Sequence, residues 1–467
     1  MQNLQDTITA PATPAGVSAL AVVRVSGKDA IDIVNKCFSK DIATADGYTI
    51  HYGHIVDGDT RIDEVLASVF RNPHSYTGED SVEISGHGSP YITRRIIETL
   101  LKNGARMAEA GEFTLRAFLN QKMDLAQAEA VADMISSNSE ASLQMAMSQM
   151  RGGFSKDIAV LRQELIDFAA LIELENDFGE EDVEFADREK LKALIAKLLT
   201  QTEKLRSSFA AGNVLKNGIN TVIAGKPNAG KSTLLNALLN EERAIVSDIA
   251  GTTRDTIEEV FTLKGIQFRL IDTAGLRDSS DTIEQIGVGK TKESMRKAEL
   301  LVYLASPLPL SKVDGATPLN TSNPEVAQKT KEDIIAEFTE VDDSKYKILV
   351  VNKADLYDWD KEGWPENTVF ISAKNKDIGP LIQELERVAS HYELGNETVV
   401  NNARHADALA KSSEALQKVL DGIDTELTSD MVALDIRNAL YQLGLITGEV
   451  TNDEVLDSIF TRFCIGK

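Results

Sequence analysis

The sequence predicts a multidomain chain of α/β plus α class. A phosphate-loop nucleotide domain is inserted into an α-helical domain, and an α+β domain precedes both. Three observations predict this. Residues 221–233 read Thr-Val-Ile-Ala-Gly-Lys-Pro-Asn-Ala-Gly-Lys-Ser-Thr, an apolar run feeding a glycine-rich loop. Stretches rich in Ala, Leu, Gln and Glu, all good helix formers, lie on both sides of that loop's domain. The first part of the chain instead mixes strand and helix patterns.

Length and charge bound the reading. The 467 residues suit about three domains. There are 49 basic and 73 acidic residues, a formal charge of −24. So acidic a body repels phosphate backbones, so a nucleic-acid substrate would require a local basic patch or a basic partner. The two cysteines, Cys37 and Cys464, cannot build a disulfide framework or a zinc cluster, which suits a reducing cytoplasm. The first residues lack the pattern of a signal peptide, and the apolar run 17–25 contains Ser18 and Arg24. A cytoplasmic location is expected.

Taken in order, residues 1–120 form the first domain. Strands are expected at 17–25 and 65–70, helices at 30–37 and 91–101, and a turn at Ser85-Gly86-His87-Gly88-Ser89-Pro90. His87, between two glycines, reads as a structural turn histidine or as a catalytic one. Residues 121–215 are expected to be nearly continuous helix, with Leu191, Leu194, Ile195, Leu198 and Leu205 along one face. The eight acids within 173–187 read as a solvated loop between helices, with metal binding as the other option. The nucleotide domain spans 216–384. Residues 385–467 return to helix, at 403–420 and 429–443.

The inserted domain carries the chemistry. Gly225, Gly230, Lys231 and Ser232 fit Gly-x4-Gly-Lys-Ser. The glycines let backbone N–H groups turn around phosphates, Lys231 reaches the outer phosphates, and the Ser232 hydroxyl can ligand Mg²⁺. The helix that follows adds its N-terminal dipole. Asn352-Lys353-Ala354-Asp355 follows an expected strand at 347–351, and a carboxylate there accepts both the ring N–H and the exocyclic amine of guanine. Ser372-Ala373-Lys374, after 369–371, completes a base pocket. Asp272-Thr273-Ala274-Gly275 follows 268–271 and places a carboxylate and a glycine amide at the terminal phosphate. Gly251-Thr252-Thr253-Arg254-Asp255 supplies a threonine for Mg²⁺. Five such segments in order define a GTPase. Leu276 occupies the place of the usual water-positioning glutamine and cannot orient water, so Glu284 is the candidate, against a solvated helix-start glutamate. Ala305-Ser306-Pro307 replaces the expected aspartate after the strand 300–304, and a proline-rich insertion follows.

With Ser75-Tyr76-Thr77-Gly78-Glu79-Asp80, Gly111-Glu112-Phe113 through Arg116-Ala117-Phe118-Leu119-Asn120, and Phe463-Cys464-Ile465-Gly466-Lys467, the order closely resembles the bacterial tRNA modification GTPase family MnmE (TrmE) over essentially the full chain. The resemblance implies a tetrahydrofolate-binding N-terminal domain, with Arg24, Glu83, Lys122 and Lys467 contacting 5-formyl- or methylene-tetrahydrofolate. It implies GTP hydrolysis activated by K⁺, with Asn228, Ser247, Ile249 and Thr252 around the ion and Ser232 and Thr253 on Mg²⁺. Nucleotide contacts would come from Asn228, Ala229, Gly230, Lys231, Ser232, Thr233, Ser247, Asp248, Ile249, Ala250, Gly251, Thr252, Thr253, Asp272, Thr273, Ala274, Gly275, Asn352, Lys353, Asp355, Ser372 and Ala373. Glu284 would orient the attacking water. Cys464 would be functional, although from the residues alone a reactive thiolate and a buried structural cysteine both stay open. The family pattern further implies a homodimer through the N-terminal domain, transient G-domain dimerisation, and a heterotetramer with the FAD-carrying flavoprotein MnmG (GidA). Together they modify carbon 5 of the wobble uridine of tRNA, and the −24 charge fits a division of labour in which the partner carries most tRNA contacts. A ribosome-assembly GTPase, a regulatory scaffold without modification chemistry, and an independent folate-dependent one-carbon transferase with a regulatory G domain are the alternatives. The acidic helical flanks argue against the first.

Overall fold

The computed structural model describes residues 5–177, 188–241, 245–246, 259–271, 298–306, 324–340, 346–356, 361–392, 398–425 and 427–467. The chain divides into two compact units. One comprises Met1–Ile135, Met147–Lys204 and Asp407–Lys467; the other comprises Ser136–Ala146 and Leu205–Ala406.

In the first unit, β1 (Ile8–Pro11), β2 (Leu20–Ser26), β3 (Thr49–Asp57), β4 (Thr60–Phe70), β5 (Ser81–His87) and β6 (Arg106–Met107) make one sheet, ordered β3-β4-β5-β2-β1-β6. Every neighbouring pair is antiparallel except β1 and β6. Alternation sets its faces: Val23, Val25, Val65, Ala67, Val69, Val82 and Ile84 are buried in one core with residues of the helices Ala30–Cys37 and Pro90–Lys102. The first of these helices has the expected bounds. β2 starts later than expected, because Val17 is 91% exposed and has no core to enter.

The turn expected at 85–90 is a correction. Ser85, Gly86 and His87 are strand residues, paired with Val22, Ala21 and Leu20. Gly86 serves close approach rather than chain reversal, since a Cβ there would lie 2.6 Å from the Asp63 carboxylate. Reversal is left to Gly88 and Ser89, and Pro90 opens the helix, where its missing N–H costs nothing.

The helical part of this unit includes Gly153–Asp177, Ser429–Thr447 and Asp453–Phe460, with most of Leu125–Ser136, Arg188–Ser207 and Ala403–Asp424. Gly153–Asp177 packs along Ser429–Thr447, and Lys197 bonds Glu164 at 2.7 Å. Leu191, Ile195 and Leu198 are buried, as the periodicity requires. The side chains of the acidic run 173–187 lie outside the described residues.

The second unit holds β7 (Ile219–Ala224), β8 (Ile245–Val246), β9 (Glu259–Leu263), β10 (Ile266–Leu270), β11 (Leu300–Ala305), β12 (Tyr346–Val351) and β13 (Thr368–Phe370), ordered β13-β12-β11-β7-β10-β9-β8. β13 through β10 run parallel; β9 and β8 add antiparallel pairs at one edge. Parallel strands covered on both faces read as continuous apolar runs, and all of Leu300–Ala305 is buried. Alternate residues serve two cores. Ile219, Ile223, Leu300, Val302, Leu304, Ile348 and Val350 share one. Val222, Ala224, Leu301, Tyr303, Leu349 and Val351 share the other. The segment Ser136–Ala146 also belongs to this unit: Met145 enters the first core, and Ala141 N–H donates to the Gly265 carbonyl at 3.2 Å. Among the described residues no helix is long and apolar enough to cross a membrane.

Candidate functional site

The central strand β7 ends at the phosphate loop, where open α/β sheets present ligand crevices. Two glycines let the loop turn there. Gly225 has φ +149° and would place a Cβ 2.1 Å from the Leu304 carbonyl oxygen; Gly230 has φ +103° and would place one 2.4 Å from Asn352 Nδ2. Only glycine fits such contacts. Gly230 is the N-cap of the helix Lys231–Leu239, so the helix's free N–H groups and its positive dipole end face the loop. Lys231 Nζ donates to the Gly225 carbonyl at 2.8 Å and the Lys226 carbonyl at 3.1 Å, which keeps the ammonium at the loop. Ser232 and Thr233 are exposed on the first turn, as is Asn228 within the loop, with φ +61°.

Asn352 ties this loop to the expected base pocket. Buried to 3% exposure, it donates from Nδ2 to the Ala229 carbonyl at 2.8 Å and accepts at Oδ1 from the Ala373 N–H at 3.1 Å. Lys353 Nζ reaches the Asn228 carbonyl at 3.3 Å. Asp355 is exposed in the short turn Ala354–Leu356, while Ser372 and Ala373 are buried beyond β13. The fold therefore brings together Asn228, Ala229, Gly230, Lys231, Asn352, Lys353 and Ala373. Ser247, Asp248, Ile249, Ala250, Gly251, Thr252, Thr253, Asp272, Thr273, Ala274, Gly275 and Glu284 lie outside the described residues, as does the insertion 307–323.

Sequence reasoning missed the flank of this loop. Lys226 ion-pairs with Glu337 of the helix Pro324–Glu340, and Tyr303 OH donates to the other Glu337 oxygen at 3.1 Å. Burial, with the Glu337 charge beside it, pushes the Tyr303 phenol up to about 12. A cavity of about 60 Å³ lies here, lined by Asn228, Ala229, Ser306 and Asp333 among others.

A second site is built in the N-terminal sheet. Arg24 and Glu83 are cross-strand partners on β2 and β5, and the Arg24 Nε and Nη2 donate to Glu83 Oε1 at 3.0 and 2.8 Å. Arg24 Nη1 donates to the Gly466 carbonyl at 3.5 Å, and its guanidinium lies 5.2 Å from the Tyr76 ring and 5.6 Å from the Phe113 ring. The carboxy-terminal segment is seated here by its backbone. Gly111 N–H donates to Cys464 O at 3.5 Å and Phe113 N–H to Lys467 O at 3.2 Å, while Ala110 and Ile465 form an antiparallel bridge. Lys122 is exposed, its Nζ on the Pro73 carbonyl at 2.9 Å.

Beneath lies a charge cluster that the residue pattern alone did not reveal. Arg116, 2% exposed, donates from Nη2 to Asp6 Oδ1 at 2.7 Å and Glu112 Oε1 at 2.9 Å, and from Nη1 to Glu79 Oε1 at 3.2 Å. Arg106 joins Asp6 and Glu112, each at 2.6 Å. Buried charges are tolerated where ion pairs and hydrogen bonds offset their desolvation, as they do here at both Arg116 amino groups, the buried Arg116 Nε being left without a partner. The Arg106 hydrogen bond is the main cause holding Asp6 below its ordinary range. For Glu112, burial pushes upward, but the bonds from Arg106, the Glu109 N–H and Arg116 outweigh it and hold the carboxyl low. The only signal in the sequence was the i,i+4 spacing of Glu112 and Arg116.

Cys464 is exposed, which removes the buried-cysteine reading; the buried thiol is Cys37, pushed up to about 11 by desolvation. His87 is 66% exposed and bonds Asp63 Oδ1 at 2.7 Å, a bond that raises its pKa. Asp63 also accepts the His87 backbone N–H at 2.8 Å. That is a strand-end clasp.

A mostly parallel sheet, a glycine-rich loop after its central strand and an asparagine joining that loop to the base-side segment define a phosphate-loop nucleotide-binding protein of the GTPase class. The comparisons give the family. Residues 125–464 match the model of the MnmE helical domain, and residues 7–122 match that of the GTP-binding protein TrmE N-terminus. The chain is 51% identical over 483 residues to the tRNA modification GTPase MnmE of Flavobacterium johnsoniae, covering 99% of each chain. It is 50% identical over 484 residues to that of Christiangramia forsetii, covering 100% of both, and 44% identical to that of Bacteroides fragilis strain YCH46 over 481 residues, covering 99% of this chain and 100% of that one. The chain belongs to the MnmE family of tRNA modification GTPases.

Proposed function

We propose that the chain is a K⁺-activated GTP hydrolase which, with the flavoprotein MnmG, adds a carboxymethylaminomethyl or aminomethyl group at carbon 5 of tRNA wobble uridine, using a folate one-carbon unit. The observation that carries the nucleotide half is buried Asn352, which ties the phosphate loop to the Ser372–Ala373 segment so that base recognition and phosphate recognition share one frame. Lys231 binds the outer phosphates, Ser232 and Thr253 would hold Mg²⁺, and Asp355 reads guanine. Asn228, with Ser247, Ile249 and Thr252, would hold K⁺; its exposed side chain on a left-handed residue of the loop suits a ligand set completed from elsewhere. A monovalent cation there supplies the countercharge that an arginine provides in other GTPases. Glu284 orients water in place of glutamine.

Support for the folate half is the Arg24–Glu83 pair, with two rings and the carboxy-terminal segment around it. Lys122 and Lys467 would complete those contacts, and Cys464 is the candidate reactive thiol. The −24 charge fits a division of labour in which the partner makes most tRNA contacts. Homodimerisation through the N-terminal domain, transient pairing of G domains and a cytoplasmic location belong to the same proposal.

Mass spectrometry of wobble uridines in tRNA from cells lacking this protein tests the reading: unmodified uridine is expected, and normal hypermodified uridine would sink it. Hydrolysis by the purified protein should be much faster in K⁺ than in Na⁺, with Asn228→Ala erasing the difference.

A further inference from the structure

We infer that Arg116 is the positioning residue of the N-terminal site. Its one buried guanidinium registers the loop 75–80 against the helix Glu112–Leu119, and so sets the two rings and the carboxy-terminal segment around Arg24. The ligand named below rests on the folate reading; the geometry does not.

Two segments, far apart in sequence, furnish what surrounds Arg24. The first supplies Tyr76 and the second Phe113, whose rings stand 5.2 and 5.6 Å from the guanidinium. They meet at Tyr76 OH and Thr114 Oγ1, 2.9 Å apart, and at Arg116. Arg116, itself on the helix, reaches across to Glu79 of the loop through Nη1 at 3.2 Å and to Asp6 through Nη2 at 2.7 Å, while Glu112, one turn back on the same helix, steadies Nη2 at 2.9 Å. Glu79 passes the constraint into the sheet, because Ser26 Oγ donates to Glu79 Oε2 at 2.9 Å. Ser26 is two residues from Arg24 on β2, hence on the same face. Ser75 Oγ closes the loop on the Glu79 carbonyl at 2.6 Å. On the helix side, Gly111 and Phe113, flanking Glu112, carry the N–H groups that seat Cys464 and Lys467.

Arg116 touches none of the groups proposed to contact ligand, so it acts through them. Its fork is what the task needs: two amino groups directed at carboxylates from two elements, plus a bond to the Asp6 carbonyl at 2.7 Å. A lysine keeps the charge but cannot hold both elements in a fixed plane. Glu79 is the milder point at which to cut the link, since a glutamine retains an acceptor for Ser26 while losing the charge-assisted bond to Arg116.

The test uses the full-length protein, with equilibrium dialysis against 5-formyl-tetrahydrofolate alongside thermal denaturation, for wild type, Arg116→Lys, Glu79→Gln and Arg24→Ala. Expected is a weakening on the order of 10- to 100-fold in Arg116→Lys and a smaller one in Glu79→Gln. In Glu79→Gln the melting temperature should stay within a few degrees of wild type. Loss of affinity without loss of fold is what a merely structural role would not produce. Wild-type affinity in folded Arg116→Lys and Glu79→Gln, with binding lost in Arg24→Ala, would overturn the positioning role while leaving the folate reading intact. Wild-type protein that binds no folate overturns that reading, and with it the ligand assigned here. If Arg116→Lys does not fold, Glu79→Gln decides: affinity equal to wild type overturns the role, and weakened affinity supports it.

Discussion

The phosphate loop and the Arg24 cluster are built in opposite ways. The loop is built on backbone, bent by two glycines in left-handed or near-extended conformations, with the helix Lys231–Leu239 starting directly behind it. The Arg24 cluster is built on side-chain charge. Arg24, Glu83, Arg116, Glu79, Glu112, Arg106 and Asp6 come from strands, a loop and a helix spread over most of the N-terminal domain. A loop built on backbone is robust to neighbouring side chains, and of its two lysines only Lys231 turns back onto the loop carbonyls, while Lys226 is drawn to Glu337. A charge cluster shares its load and is exposed to protonation.

Four experiments break or sharpen that contrast. Lys231→Ala should lower kcat for GTP on the order of 10²- to 10³-fold, measured by phosphate release, because it removes a preorganised charge from the transition state. Folate affinity should be unchanged, and a parallel loss would mean that the two sites are not separable. Asn352→Ala follows. It strips partners from the Ala229 carbonyl and the Ala373 N–H inside a buried contact, and should cost about 1–3 kcal/mol. The cost should appear as weaker guanine-nucleotide binding in titration calorimetry; unaltered affinity would remove Asn352 as the link.

Acidification should act on the charge cluster. Asp6 and Glu112 are held below their ordinary values of 3.8 and 4.5. A depressed carboxyl contributes stability that is present above its unfolded value and lost as pH falls through the folded one. Urea midpoints followed from pH 7 down to about pH 3 should therefore fall in the acid range, and substitution of Asp6 by Asn should flatten the decline. An equally steep decline in that variant would locate the acid sensitivity elsewhere. The smallest effect belongs to His87→Gln: its bond to Asp63 lies at the exposed end of β5, and the melting temperature should not move measurably. A large drop would mean that the strand-end clasp carries more than its exposure suggests.

Legibility divides along the same line. Gly225 to Ser232 could be read directly, because spacing, glycine conformation and helix start are all local. The strands of the second unit were readable as apolar runs, since a parallel sheet buries both faces. Ser85 to Pro90 misled, because a glycine that reverses a chain and a glycine that lets Asp63 approach look identical until β4 and β5 are paired. The seat of residues 463–467 was likewise invisible, being made by the N–H groups of Gly111 and Phe113. Segment 136–146 read simply as helix, and nothing in its pattern assigned Met145 to the core beneath β7.

By itself, then, the sequence determined the class: a GTPase loop within an α/β sheet, helical flanks and a mixed N-terminal domain, because periodicity and turn chemistry act over a few residues. Only the tertiary structure decided which charges meet. Arg116 finds Glu79 and Asp6 through the pairing of strands and the docking of a helix, and a buried ion network has no local signature beyond one i,i+4 pair.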